Sequence, residues 1–116
     1  MNISAATVGI PVRDLDAAVD WYRAALELGD VDLEPMDGLV EFDLGPVWLQ
    51  LARDPDNAGR EGISITLSVD DAATERDRLA GLGLDVSEVT RFEGVLEFFA
   101  LTDPDGNKVG FVTELS

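Results

Sequence analysis

Val12-Arg13-Asp14-Leu15-Asp16-Ala17-Ala18 returns 57 positions later as Val69-Asp70-Asp71-Ala72-Ala73, and this echo decides the fold. In each copy an alternating apolar run ends, an aspartate follows, and a helical periodicity begins. An Asp there accepts the free backbone N–H groups of a first helical turn. Upstream, Val8, Ile10 and Val12 share one face of a strand, with Thr7, Gly9 and Pro11 on the other. Downstream, Asp14 caps a helix over about residues 15–28. Ala18, Val19, Tyr22, Ala25 and Leu26 recur there at spacings of three and four, and Gly29 ends it as a residue tolerant of positive φ. Three extended segments follow, at residues 31–35, 39–44 and 47–52. Asp37-Gly38 and Gly45-Pro46 are the turns between them.

The second half repeats the order. Residues 62–69 read as a strand with Ile63, Ile65, Leu67 and Val69 on one face and Ser64, Thr66 and Ser68 on the other. Asp70 or Asp71 caps a helix to about residue 82, and strands follow near residues 84–90, 95–102 and 108–114. Asp103-Pro104-Asp105-Gly106-Asn107 joins the last two, a run of residues that each favour a turn. Thr7, Val12, Asp14 and Asp20 recur as Ser64, Val69, Asp71 and Asp77, each 57 positions on. The expectation is an α+β fold of two tandem β-α-β-β-β modules in one domain, residues 5–53 and 62–115. The polar residues 54–61 link them.

Composition bounds the chemistry. The chain has 116 residues, with 24 acidic side chains, eight basic ones and a net charge of −16. Nucleic-acid and anionic-membrane partners both need a basic footprint, so neither is expected. Apolar residues make up 46 %, enough to build a core. No apolar run is long enough for a membrane span. Residues 1–5 lack the pattern of a signal peptide, so a cytoplasmic protein is expected. There is no Cys and no His, which removes thiolate nucleophiles, thiolate zinc sites and the commonest general base. The acids divide into 15 Asp and nine Glu against seven Arg and one Lys. Such a surface suits either life at high salt or attraction of a cationic ligand, and charge alone does not separate the two.

Val12 to Ala18 followed by Trp21-Tyr22, the Asp103-Pro104-Asp105-Gly106-Asn107 turn before a final strand, and the duplicated order together resemble the vicinal oxygen chelate superfamily. That family includes glyoxalase I, extradiol dioxygenases, and fosfomycin and bleomycin resistance proteins. The resemblance implies a cup of mixed sheet, its two modules paired within one chain or across a dimer. In metal-dependent members four inward side chains, typically His or Glu, hold a divalent ion. By register those positions are Thr7, Gln50, Ser64 and Gly110, and none is a carboxylate or imidazole. A hard cation wants several charged or carbonyl oxygens. No metal and no cofactor is therefore expected.

What the cup would then offer is a ligand face, which strand alternation assigns to Thr7, Gly9, Trp48, Gln50, Ser64, Thr66, Ser68, Lys108, Gly110 and Val112. The opposite parity is apolar and is expected under the helices. The candidate ligand-binding residues are Thr7, Trp48, Gln50, Ser64, Thr66, Phe98, Phe99 and Gly110. Only one of Phe98 and Phe99 can point into the cup. Trp21 and Tyr22 read as helix anchors in the core, and Phe92 brackets the later strands. Glu41, Asp43, Glu93 and Glu97 are candidate rim carboxylates, although so acidic a chain produces pairs by chance. The leading expectation is a metal-free binder of a small molecule, a cationic aromatic compound or antibiotic, acting as a homodimer as the bleomycin resistance proteins do. The alternatives are a divalent-metal-dependent lyase, isomerase or dioxygenase with relocated oxygen ligands, and a ligand-free dimerisation module.

Overall fold

Both helices begin on a marked aspartate. Asp14 accepts the Ala17 N–H at 3.1 Å and Asp71 accepts the Thr74 N–H at 3.2 Å, each in the extended conformation an N-cap requires. The computed structural model describes residues 2, 6–60 and 64–115. They belong to two compact units, Met1–Arg60 and Glu61–Ser116. Residue 5 and residues 62–63, where the two modules were expected to open, lie outside the described residues.

The first unit runs β1 (Thr7–Val12), α1 (Leu15–Ala25), β2 (Leu33–Met36), β3 (Leu39–Asp43) and β4 (Trp48–Arg53). Its sheet order is β1-β4-β3-β2, with β1 parallel to β4 and the other pairs antiparallel. Ile10, Val12, Val40, Phe42, Leu49 and Leu51 bury one sheet face, and Leu15, Ala18, Tyr22 and Ala25 bury the facing stripe of α1. Fully burying side chains of this size contributes about 1.5–3 kcal/mol each before entropy is counted. Tyr22 is wholly buried, while its T-shaped partner Trp21 stays half-buried at a centroid distance of 4.8 Å.

One sequence expectation changes here. The helix stops at Ala25, not near residue 28, and Gly29 does not end it. Leu28 N–H instead bonds Arg23 C=O at 2.9 Å, which closes a Schellman turn with Glu27 at φ 57°. The segment after β4 carries bonds of its own. Asp54 N–H bonds Val12 C=O, Asn57 Nδ2 donates to Asp54, Ala58 is buried, and Arg13 Nη2 donates to Ala58 C=O at 3.1 Å.

The second unit runs β5 (Ser64–Ser68), α2 (Ala72–Gly81), β6 (Asp85–Val86), β7 (Thr90–Phe92), β8 (Leu96–Thr102) and β9 (Lys108–Glu114). The sheet order β5-β9-β8-β6 repeats that of the first unit, and β7 also pairs with β8. The single strand expected over residues 84–90 is therefore two. Ser87 explains the break: its N–H bonds Ala100 C=O at 2.8 Å, and its own hydroxyl accepts the Ala100 N–H at 2.9 Å. A side chain has replaced the backbone carbonyl in the ladder.

Thr113, on β9, braces the start of α2. Its Oγ1 accepts the Ala72 N–H at 2.7 Å and donates to Val69 C=O at 2.9 Å. At the far end Leu84 N–H bonds Leu79 C=O and Gly83 N–H bonds Ala80 C=O, with Gly83 at φ 78°. Ile65, Ala72, Leu79, Phe99, Leu101, Val109 and Phe111 form the core. The turn into β9 satisfies itself. The buried Asp103 carboxylate accepts from Asp105 N–H, Asn107 N–H and Asn107 Nδ2 at 2.8–2.9 Å.

Candidate functional site

Cross-strand register decides which residues of the second unit share a face. Thr66 lies opposite Gly110, Gly110 opposite Ala100, Val112 opposite Phe98, and Leu96 opposite Phe92. This is the face turned away from α2. Phe98 therefore points out of the core, 40 % exposed, while Phe99 points in, 1 % exposed, and stacks on Phe111 at 4.8 Å. Phe92 and Phe98 form a second stacked pair, with centroids 6.1 Å apart and planes 19° from parallel. Around them is a cavity of about 260 Å³ whose walls include Thr66, Phe92, Leu96, Phe98, Gly110 and Val112, and which also reaches Phe99 and Phe111. No carboxylate lines it. Gly110 keeps the floor low: a Cβ at that position would stand 3.1 Å from Thr66 Oγ1.

The β7–β8 hairpin that carries both rings is clipped from its other face. Arg91 and Glu97 are cross-strand partners joined by an ion pair, and Arg91 Nε also reaches Glu93 at 2.9 Å. The hydrogen bond that Arg91 donates to Glu97, with the charge of Glu93 next, holds the guanidinium above its ordinary pKa. Gly94, at φ 73°, makes the tight turn between Phe92 and Val95, whose N–H returns to Phe92 C=O. Glu93 and Glu97 are thus engaged with Arg91 and do not line the cavity.

In the first unit Thr7 lies opposite Trp48, and Trp48 opposite Asp43. Gly9 lies opposite Gln50, and Gln50 opposite Glu41. This face also turns away from the helix. Thr7 is exposed, Trp48, Gln50 and Glu41 are half-buried, and Gln50 Nε2 donates to Glu41 at 3.2 Å. An indole with one carboxylate beside it and a second in the next row is a setting for a cation.

The family's metal chemistry can be tested against these residues. Gly110 offers no side chain and Gln50 is committed to Glu41. Among the described residues no group of three or more His, Cys, Asp or Glu could hold an ion. Neither the first unit's exposed threonine hydroxyl and committed amide nor the second unit's glycine supplies the charged oxygens a divalent cation wants. Of the other sequence candidates, Thr66, Phe98, Phe99 and Gly110 come together at the cavity, Thr7, Trp48 and Gln50 share the first unit's face, and Ser64 begins β5 opposite Lys108. Val112 stands on the face that alternation assigns to the ligand, whereas Phe92 and Leu96 were not among the candidates. Period-two counting reaches Leu96 from Phe98 once that ring's face is known.

Comparison with known proteins agrees with this architecture. The family model described as the Glyoxalase/Bleomycin resistance protein/Dioxygenase superfamily matches residues 4–111. No curated protein sequence matches. Among solved structures, a bleomycin resistance determinant encoded on the transposon Tn5 is similar at 21 % identity. It covers 97 % of this chain and 98 % of its own, with a TM-score of 0.79. The bleomycin-binding protein of Streptomyces verticillus, solved with copper(II)-bleomycin, is 19 % identical over 96 % of each chain, with a TM-score of 0.75. A lactoylglutathione lyase from Agrobacterium tumefaciens is 24 % identical over 97 % of this chain and 95 % of its own, with a TM-score of 0.76. At these identities the likeness establishes the fold. No helix among the described residues is long and apolar enough to cross a membrane. With the family model spanning nearly its full length, the chain belongs to the glyoxalase/bleomycin resistance/dioxygenase superfamily.

Proposed function

We propose that this chain is a metal-free small-molecule binding protein whose ligand carries an aromatic ring system. The observation that carries the reading is the stacked Phe92–Phe98 pair, left open to solvent at the wall of a cavity. Exposed rings at 40 % and 54 % are poor core filling and good stacking surface. The poor metal donor set argues against the lyase, isomerase and dioxygenase chemistry of metal-dependent relatives. A cationic group on the ligand is the reading that Trp48, Asp43, Glu41 and the net charge of −16 favour. A bleomycin-type antibiotic is one such compound, and the fold shared with a bleomycin-binding protein supports trying it first. The active species in this reading is a homodimer.

Titration with bleomycin and other cationic aromatic antibiotics at low salt, followed by Trp fluorescence, tests the reading. Saturable binding weakened in Phe98→Ala is expected. No binding across the panel overturns sequestration of such drugs. Native mass spectrometry of the purified protein reads metal and oligomer together, and a stoichiometric transition metal would restore the enzyme reading.

A further inference from the structure

Lys108 is the only lysine in the chain, and it opens β9 on the same face as Gly110 and Val112. In so acidic a protein a cation finds a carboxylate easily. Arg23, Arg53, Arg76, Arg78 and Arg91 each do so. Lys108 does not: among the described residues no carboxylate pairs with it, and its Nζ donates instead to the Thr102 hydroxyl across the strand at 2.7 Å. That bond holds the ammonium on this face of the sheet, and among the described residues it is the one side-chain bond of a group that carries three N–H donors. The side chain is exposed. Along β9 it stands roughly 7 Å from Gly110 and roughly 13 Å from Val112, at about 3.3 Å per residue. Between it and the phenylalanines lies the row of Thr66, Gly110 and Ala100, small side chains over which a planar molecule can run.

We infer that the second unit's pocket takes an aromatic acid. Its ring system stacks on Phe98 and Phe92, and its carboxylate or other anionic group is paired by Lys108. The inference rests on the aromatic part of the reading above and, for this pocket, sets an acidic group in place of the cationic one argued from the first unit's Trp48 face: the stacked rings supply the ring site, and Lys108 pairs the acidic end of the ligand. It also accounts for the cavity wall, which in a chain of 24 acids contains none. A carboxylate there would repel this ligand, whereas a cation-selective pocket would have used one. Lys108 acts here as a specificity-determining residue.

The test uses the full chain and two probes of one shape, 2-naphthylacetate and its neutral amide, titrated in about 150 mM salt, where the distant charges are screened beyond roughly 8 Å. The Phe98 ring resonances report the site. The acid should bind about fivefold more tightly than the amide, as expected of one partly exposed ion pair. Lys108→Met should abolish that preference without weakening the amide, and Lys108→Arg should keep it. Equal affinities in the natural protein, or a preference that survives Lys108→Met, overturn the inference and leave the aromatic pocket standing. Failure of both probes to bind or to move Phe98 overturns the aromatic reading itself, and the inference with it.

Discussion

Glu27 and Gly83 hold matching places at the ends of α1 and α2, both in the left-handed region, at φ 57° and 78°. Each is followed by a leucine whose N–H reaches back five residues, Leu28 to Arg23 and Leu84 to Leu79. Only the second helix uses the residue that the conformation suits. A side chain there costs about 1–2 kcal/mol in crowding of Cβ against the carbonyl, and Glu27 also brings a negative charge to a helix C-terminus. Glu27→Gly should therefore raise stability by about 0.5–1 kcal/mol, part of the strain relief being offset by the greater freedom of glycine in the unfolded chain. Urea unfolding of Glu27→Gly and Glu27→Ala separates the causes. An equal gain in both would assign the effect to charge and not to backbone strain.

Phe98 and Phe99 are adjacent in sequence and opposite in consequence. Phe99→Ala empties the place beside Phe111 and should cost about 3–5 kcal/mol. Phe98→Ala should cost about 1 kcal/mol or less, because the ring is already 40 % exposed, yet remove most aromatic-ligand affinity. Chemical unfolding beside a binding titration checks the pair. A Phe98→Ala protein as unstable as Phe99→Ala would mean that the outer ring is structural.

Thr113→Val keeps shape and removes both bonds of the hydroxyl. Ala72 N–H and Val69 C=O lose their partner at the start of α2, which should cost about 1–3 kcal/mol. Thr113→Ser should recover most of it. Hydrogen exchange at Ala72, Ala73 and Thr74 would localise the loss to the first turn, and unchanged protection there would refute the brace.

Asn107→Ala takes one donor from the buried Asp103 carboxylate and should cost about 1–3 kcal/mol. A larger loss should follow Asp103→Ala, which also strips the Asp105 and Asn107 N–H groups of their acceptor, and the double variant should fall well short of the sum, as expected of one shared network. Additive losses in that cycle would show two independent sites.

How far the fold could be read in advance depended on whether a residue's role was local. Asp14, Asp71 and the Asp103–Asn107 turn act on backbone groups within four positions of themselves, so their chemistry was visible in the chain. The parity that buries Ile10 and Leu49 was equally plain, since Thr7 and Gly9 fall on the other face of the first strand and Gln50 on the other face of the fourth. Phe98 and Phe99 defeated parity because both neighbours are the same apolar type, and only the pairing of Phe98 with Val112 and Thr90 chooses the outward ring. Ser87 broke a strand through a hydroxyl that meets Ala100 across the sheet, and no local pattern announces such a partner. Leu96 and Lys108 gained their significance from neighbours on other strands.

Thr7 pairs with Trp48 and Ser64 with Lys108, so the opening strand of each unit finds its partner only at that unit's close. During synthesis β1 has no ladder to join until about forty residues later, and β5 waits as long, an arrangement that slows folding through distant contacts. Because the cost of closing a loop grows only with the logarithm of its length, the two waits are nearly equal. The chain therefore meets the same kinetic obstacle twice in succession, first with the residues up to Arg53 and again with those up to Glu114.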